Sequence, residues 1–179
     1  KRKTGISHKD SKDILYRTTL AFSEGSSYDI FLSHSFQDAD IIYGLKIEFE
    51  RLGHSVYIDW VEDPNLDRSR VTPKTAGVLR KRMQSCRSLF FAVSDNSPNS
   101  KWMPWELGYF DAFKNRVAIL PITENEPDQY SGQEYLGLYP YVTIQFSTKK
   151  EEMLWIRWNL STYVDYRSWL SGREPSNHG

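Results

Sequence analysis

The sequence has a single cysteine, Cys86. One thiol excludes an internal disulfide and suits a reducing, cytoplasmic setting. There is no excess of either charge, since Lys+Arg and Asp+Glu both number 23. A dedicated nucleic-acid binder is usually basic, so no nucleic-acid partner is expected. No apolar run approaches the ~20 residues of a membrane span, so no membrane partner is expected either. The opening "KRKTGISHKDSKD" carries basic residues with no apolar core after them, unlike a secretory signal. Glycines number only ten, with no GxGxxG after the first strand and no Walker-type phosphate loop. His8, His34, His54 and His178 show no paired metal spacing, and one cysteine cannot complete a structural zinc site, so no metal and no bound cofactor are expected.

What the chain does have is the composition of a folded domain: 39% apolar and 15% aromatic residues in 179 positions, enough for one sizeable core. Short apolar runs alternate with helical patterns. "YDIFLS" (Tyr28 to Ser33) follows a turn-like cluster and reads as a buried strand. Ile42, Leu45, Phe49 and Leu52 recur at helical spacing over Asp38 to Leu52, and Gly53 is a natural stop. "SVYID" (Ser55 to Asp59) is the second strand. Thr72 and Pro73 form an N-cap and first helical position for a helix with the stripe Ala76, Leu79, Met83, Cys86. "SLFFAVS" (Ser88 to Ser94), "VAILPI" (Val117 to Ile122) and "YPYVTIQF" (Tyr139 to Phe146) are further strands. Between the last two lies the acidic loop "TENEPDQYSGQE". Thr148 with Glu151 makes a capping-box pattern, which predicts a long aromatic helix to about Leu170. Residues 1–26 read as an N-terminal extension with a helix over 7–22, 27–171 as the domain, and 172–179 as a disordered tail.

Strand–helix alternation predicts an α/β domain with a mostly parallel sheet. In such sheets ligands bind beyond the carboxyl ends of the strands. Those ends carry Ser33-His34-Ser35-Phe36, Asp59-Trp60 and Ser94-Asp95-Asn96. Neighbouring residues on a strand end do not face each other, so Ser33-His34-Ser35 is a weak case for a catalytic triad. Cys86 closes an apolar stripe and reads as packing rather than as a nucleophile. The run Arg80 to Arg82 reads as a solvated helix face.

The stretch "SKWMPWEL" holds the most informative carboxylate. Trp102 and Glu106 are four apart, which puts them on one helix face if the helix begins by Lys101. Pro104 is tolerated in a first turn. A helix N-terminus favours a nearby negative charge. From the residues alone, Glu106 is either a helix-end stabiliser or an active-site acid, and Trp105, off that face, reads as core.

Three boxes in order carry a resemblance. "YDIFLSHS", "HSVYID" with the polar loop after it, and the Ser-x-Trp-x-x-x-Glu pattern of "SKWMPWEL" together resemble TIR domains (the Toll and interleukin receptor homology domain), over about Tyr28 to Leu170. "DPNLDRSRVTP" resembles bacterial members. The resemblance implies a flavodoxin-like fold with a central five-stranded parallel sheet and helices on both faces. For its catalytic members it implies cleavage of the nicotinamide–ribose bond of NAD+ as substrate, with Glu106 as the catalytic carboxylate. It implies substrate contacts from His34, Ser35, Phe36, Asp59, Trp60 and Trp102. It further implies head-to-tail TIR–TIR assembly through a loop holding Asp63, Pro64, Asp67 and Arg68. The sequence departs from some members after strand one, where Ser35 and Phe36 replace basic residues, and after Asp59, where Trp60-Val61-Glu62 holds no lysine. Arg68, Arg70 or a neighbouring subunit is then left to meet the phosphates.

The resemblance thus implies an NAD+ glycohydrolase or cyclase that makes an ADP-ribose-type messenger for anti-phage defence of the Thoeris kind. A TIR chain without an attached effector implies a separate messenger-sensing effector protein. The alternative is a non-catalytic TIR interaction module, and a weaker one is a nucleoside ribosyl-transfer or hydrolase enzyme.

Overall fold

The computed structural model describes residues 26–122 and 134–179. The expected helix over 7–22 and nearly all of the acidic loop lie outside these residues. Strand β1 (Tyr28–Ser33) leads through a short 3-10 turn, Phe36–Asp38, into helix α1 (Ala39–Arg51). Gly53, with φ of 83°, turns the chain after α1, a conformation that glycine adopts without steric cost. Strand β2 is only Val56–Tyr57, and Asp59 opens a one-turn helix α2 (Asp59–Glu62) instead of closing the strand. Helix α3 (Pro73–Ser85) starts where Thr72 caps it, its side chain accepting the Thr75 N–H at 3.1 Å. Strand β3 (Cys86–Val93) follows without a break, so Cys86 belongs to the strand. Helix α4 (Met103–Lys114) carries Pro104 in its first turn, and strand β4 (Val117–Pro121) comes next.

The remainder differs from the expected long helix. Strands β5 (Tyr141–Phe146), β6 (Glu152–Arg157) and β7 (Thr162–Asp165) precede a short helix α5 (Tyr166–Leu170). The Thr148–Glu151 pattern is a hairpin turn: the Ser147 hydroxyl accepts the Glu151 N–H, and Lys150 has φ of 62°. Asn159 Oδ1 accepts from the N–H groups of Ser161 and Thr162 at 3.0 and 2.8 Å, closing the next turn. Between these turns Leu154 and Ile156 alternate inward with Met153 and Trp155 half-buried. That is the two-residue period of a strand. The tail also differs: Ser176–Asn177 forms β8 against β7.

The sheet therefore has eight strands in the order β2-β1-β3-β4-β5-β6-β7-β8. The first five are mutually parallel and the last three join antiparallel. The order 2-1-3-4-5 is the flavodoxin-like one, whose switch point lies between β1 and β3. One face buries Ile42 and Phe49 of α1 with Tyr166 and Trp169 of α5. The other buries Leu79 and Met83 of α3 with Met103, Leu107 and Phe110 of α4. Helices on both faces leave the carboxyl rim at β1 and β3 as the open edge for a ligand.

Candidate active site

The rim at the switch point gathers residues far apart in sequence. Ser33, the last residue of β1, donates its hydroxyl to Glu106 Oε2 at 2.6 Å. Glu106 stands in the first turn of α4 and is fully buried. Its other oxygen, Oε1, receives Arg68 Nη2 at 2.5 Å. Arg68 Nη1 reaches Asp59 Oδ2 at 2.9 Å. One guanidinium thus forks between two carboxylates. Burial works against this cation, but Glu106 and Asp59 outweigh it and hold the guanidinium above its ordinary pKa. Such charge-assisted contacts are about twice as strong as neutral hydrogen bonds.

His34 follows Ser33. Its Nδ1 lies 2.8 Å from the Leu32 carbonyl, which can only accept, so the proton belongs on Nδ1. Nε2 then accepts the Trp60 indole N–H at 3.0 Å. Asp59 Oδ1 stands 3.7 Å from Nε2, beyond hydrogen-bond range. With both nitrogens engaged, this imidazole is fixed in place between the Leu32 carbonyl and Trp60. Asp59 Oδ1 itself is buried with no hydrogen-bond partner.

A cleft of about 520 Å³ opens over these groups. Its walls include His34, Ser35, Phe36, Asp59, Trp60 and Trp102, along with Arg68 and Lys101. The six residues named from sequence as substrate contacts therefore share one cavity. Phe36 is 76% exposed at its rim, whereas Trp102 is buried. The Trp102 indole donates to the Arg68 carbonyl at 2.9 Å, and the Arg68 guanidinium lies 5.9 Å from the Trp102 ring. Trp105 is half-buried and stacks on Tyr109 under Arg80.

The four residues named for loop assembly separate. Pro64 and Asp67 are exposed and line a neighbouring cavity of about 640 Å³ with Arg70 and Lys74. Asp63 also borders it but is tied down, accepting Arg82 Nε and Nη2 at 2.7 Å each and the Tyr57 hydroxyl at 2.7 Å. Arg82 is thus no solvated face residue. Arg68 turns inward, away from the exposed loop.

Sequence reasoning missed the supports. Asp38 accepts Ser94 Oγ at 2.5 Å and Asn96 Nδ2 at 2.6 Å, which joins the turn after β1 to the loop after β3. Buried Lys46 holds Glu62 Oε1 at 3.1 Å and the Val56 carbonyl at 2.7 Å, which fixes α2 under Asp59. The strand-end rule points at Ser33 and Ser94, but nothing local marks Lys46, which sits within an amphipathic helix. Among the described residues no cluster of three His, Cys, Asp or Glu could hold a metal ion, and no helix is long and apolar enough to cross a membrane.

No family model matches the chain. The chain is 57% identical over 164 residues to a Bacillus cereus (strain MSX-D12) protein named "Probable 3' cyclic ADP-D-ribose synthase ThsB'", covering 89% of this chain and 84% of that one. It is 29% identical over 129 residues to the "Putative cyclic ADP-D-ribose synthase TIR2" of Cytobacillus dafuensis, covering 72% of this chain and 31% of that one. Among solved structures, the TIR domain of the Toll-related receptor TRR-2 of Hydra magnipapillata matches with a TM-score of 0.46 at 16% identity, over 64% of this chain and 82% of that one.

Proposed function

This chain belongs to the bacterial TIR-domain proteins, and from that premise we propose that it cleaves the nicotinamide–ribose bond of NAD+ and closes the remainder into a cyclic ADP-ribose, with Glu106 as the catalytic carboxylate. One observation carries the reading: a fully buried Glu106 and a cleft-lining Asp59 with an orphaned oxygen share one guanidinium, that of Arg68, in the wall of an indole-lined cleft at the switch point of the sheet. The relative at 57% identity, named a cyclic ADP-D-ribose synthase, supports the same reaction.

The chemistry follows from the charges. Nicotinamide is cationic in the substrate and leaves as a neutral ring, so no general acid is needed to expel it. That separates the reaction from ordinary glycoside hydrolysis, which uses two carboxyl groups. The ribose left behind is oxocarbenium-like. A carboxylate held in a dry site stabilises that developing charge far more than one in water. Ser33 orients one Glu106 oxygen, leaving the carboxylate little freedom to turn away. Asp59 adds a second negative charge beside the cleft. His34, with both nitrogens engaged, is unsuited to act as the base. Trp60, Trp102 and Phe36 offer faces for nicotinamide or adenine to stack on. A nucleophile on the adenosine end then attacks the ribose carbon, and the proton it carries is released. Water in its place gives linear ADP-ribose.

The setting we assign is the cell interior, where the product serves anti-phage signalling of the Thoeris kind and a separate effector reads it. Assembly runs head to tail through the exposed part of the 63–70 loop, with Pro64 and Asp67 as its contacts. The test is incubation of the purified chain with NAD+, with and without an infection-derived trigger or crowding. Nicotinamide release and product mass are followed. A cyclic product is lighter than ADP-ribose by one water. Equal release by activated wild type and Glu106→Gln removes Glu106 as the catalyst. Intact NAD+ under assembled conditions, with self-association retained, would favour the interaction module.

A further inference from the structure

Glu106 is fully buried and is not a wall of the cleft, whereas Arg68 is. The guanidinium screens the carboxylate from any ligand in the cavity. Resting on the reading of Glu106 as the catalytic carboxylate, we infer that Arg68 is an internal competitor of the substrate: its guanidinium occupies the place of the cationic nicotinamide riboside end, and the site becomes competent only when Arg68 withdraws.

Three observations carry this. First, the occupant and the substrate are chemically alike. A guanidinium is a planar, delocalised cation, as are the nicotinamide ring of NAD+ and the oxocarbenium formed from it. Arg68 holds Asp59 Oδ2 on one side and Glu106 Oε1 on the other, near the Trp102 ring. Each contact that Arg68 makes is one that a cationic ligand would use.

Second, the cradle has acceptor capacity that Arg68 leaves unused. Asp59 is 6% exposed and lines the cleft, yet its Oδ1 has no hydrogen-bond partner. A buried acceptor without a donor is costly. A ligand with an amide or hydroxyl donor next to its cationic ring would satisfy it.

Third, the segment bearing Arg68 is an irregular loop between two anchors. Its start is anchored by Asp63 on Arg82 and Tyr57, and its end by the Thr72 cap of α3. Between them residues 66–72 form neither helix nor strand. Within the segment two backbone carbonyls are held from outside: that of Arg68 by the Trp102 indole just before α4, and that of Asp67 by the Thr75 hydroxyl. Withdrawal leaves Asp59 and Glu106 without the cation they share, and a buried carboxylate without its partner is costly. Opening is therefore coupled to arrival of another cation, and substrate affinity is reduced by the fraction of molecules already open.

Arg68→Gln tests the assignment, because a competitor and a phosphate-binding residue predict opposite signs. The variant should release nicotinamide without the trigger, with KM for NAD+ lowered by about tenfold or more. In Arg68→Ala, millimolar guanidinium should restore the block, competing with NAD+ where equal sodium chloride does not, and leave the wild type unaffected. A folded Arg68→Gln that cleaves more slowly than wild type, or a guanidinium effect that does not compete with NAD+, overturns the inference. If these variants fail to fold, hydrogen exchange of the wild type decides. A non-cleavable NAD+ analogue should speed exchange over residues 66–71, and unchanged or slowed exchange overturns the inference. Glu106→Gln separates the two readings. Full release by that variant sinks the catalytic assignment, whereas a slower Arg68→Gln beside an inert Glu106→Gln sinks only the competitor.

Discussion

The parallel strands β1–β5 and the antiparallel ribbon β5–β8 belong to one sheet but are built for different ends. In the parallel part every strand points the same way, so the carboxyl ends of β1 and β3 open on one rim. Crossover helices bring Asp59 and Glu106 to that rim from separate connections. Ionisable side chains collect there: buried Asp59 and Glu106 bridged by the half-buried Arg68, with buried Lys46 and Glu62 paired nearby. In the ribbon successive strands reverse, so their ends never gather on one side. Its buried side chains are mainly apolar, with Leu154, Ile156 and Val164 in one core with Tyr166 and Trp169 of α5 and with Ile42 and Phe49 of α1. The difference teaches that direction, more than composition, decides where a site can be assembled. The ribbon supplies core and covers the edge of β5, and the rim carries the chemistry.

Substitutions in the two regions should therefore differ in kind, the rim losing turnover and the ribbon losing stability. The largest effect belongs to the rim. Glu106→Gln should lower triggered nicotinamide release by about 10³-fold with the fold retained by circular dichroism, and near-normal release would dissolve the contrast. Next comes the ribbon. Ile156 is fully buried in β6, so Ile156→Ala should cost about 3 kcal/mol in denaturant unfolding, while turnover per folded molecule stays the same. A selective loss of turnover would give the ribbon a role in the site. Third is the cleft mouth. Phe36→Ser should leave stability within about 0.5 kcal/mol of wild type and raise KM for NAD+ severalfold, since one aromatic contact is worth about 1 kcal/mol.

The smallest effect lies where the two regions meet. His54, in the turn before β2, packs edge-on against Tyr166 of α5 with ring centroids 4.8 Å apart. Burial, then the Arg167 charge, lower its pKa from the ordinary 6.5, against a weaker opposing pull from Asp29. Below 6.5 the unfolded chain binds a proton that the folded one resists. The stability from this group is therefore complete above that pH and lost as pH falls through the folded pKa. The melting temperature should decline on that acid side, and His54→Phe should flatten the decline.

Much of the parallel part was legible because its signals are local. "YDIFLS" forms β1 over the residues read for it, and Thr72 caps α3 as its neighbours require. α4 begins at Met103, two residues later than a shared helix face required, but Trp102 is its N-cap and stays one turn from Glu106, whose N–H donates to the Trp102 carbonyl at 2.9 Å. The ribbon was misread for an equally local reason. "EEMLWIRWNLSTYVDY" is rich in aromatics at positions compatible with either period, and Ser/Thr followed by Glu imitates a helix start. Asn159 and Lys150 make the turns that settle it, and a turn residue is decisive only once a partner strand exists to pair with.

By itself, then, the sequence determined the alternation of strands and helices, the rim to search, and Glu106 with Trp102 as its most telling pair, since all of these follow from residues within a few positions of each other. Only the tertiary structure decided the ribbon, the supports under Asp59, and above all the inward turn of Arg68. That turn depends on two carboxylates, nine residues before it and 38 after it, meeting in one buried place. Charge pairing acts through space, and no spacing along the chain records it.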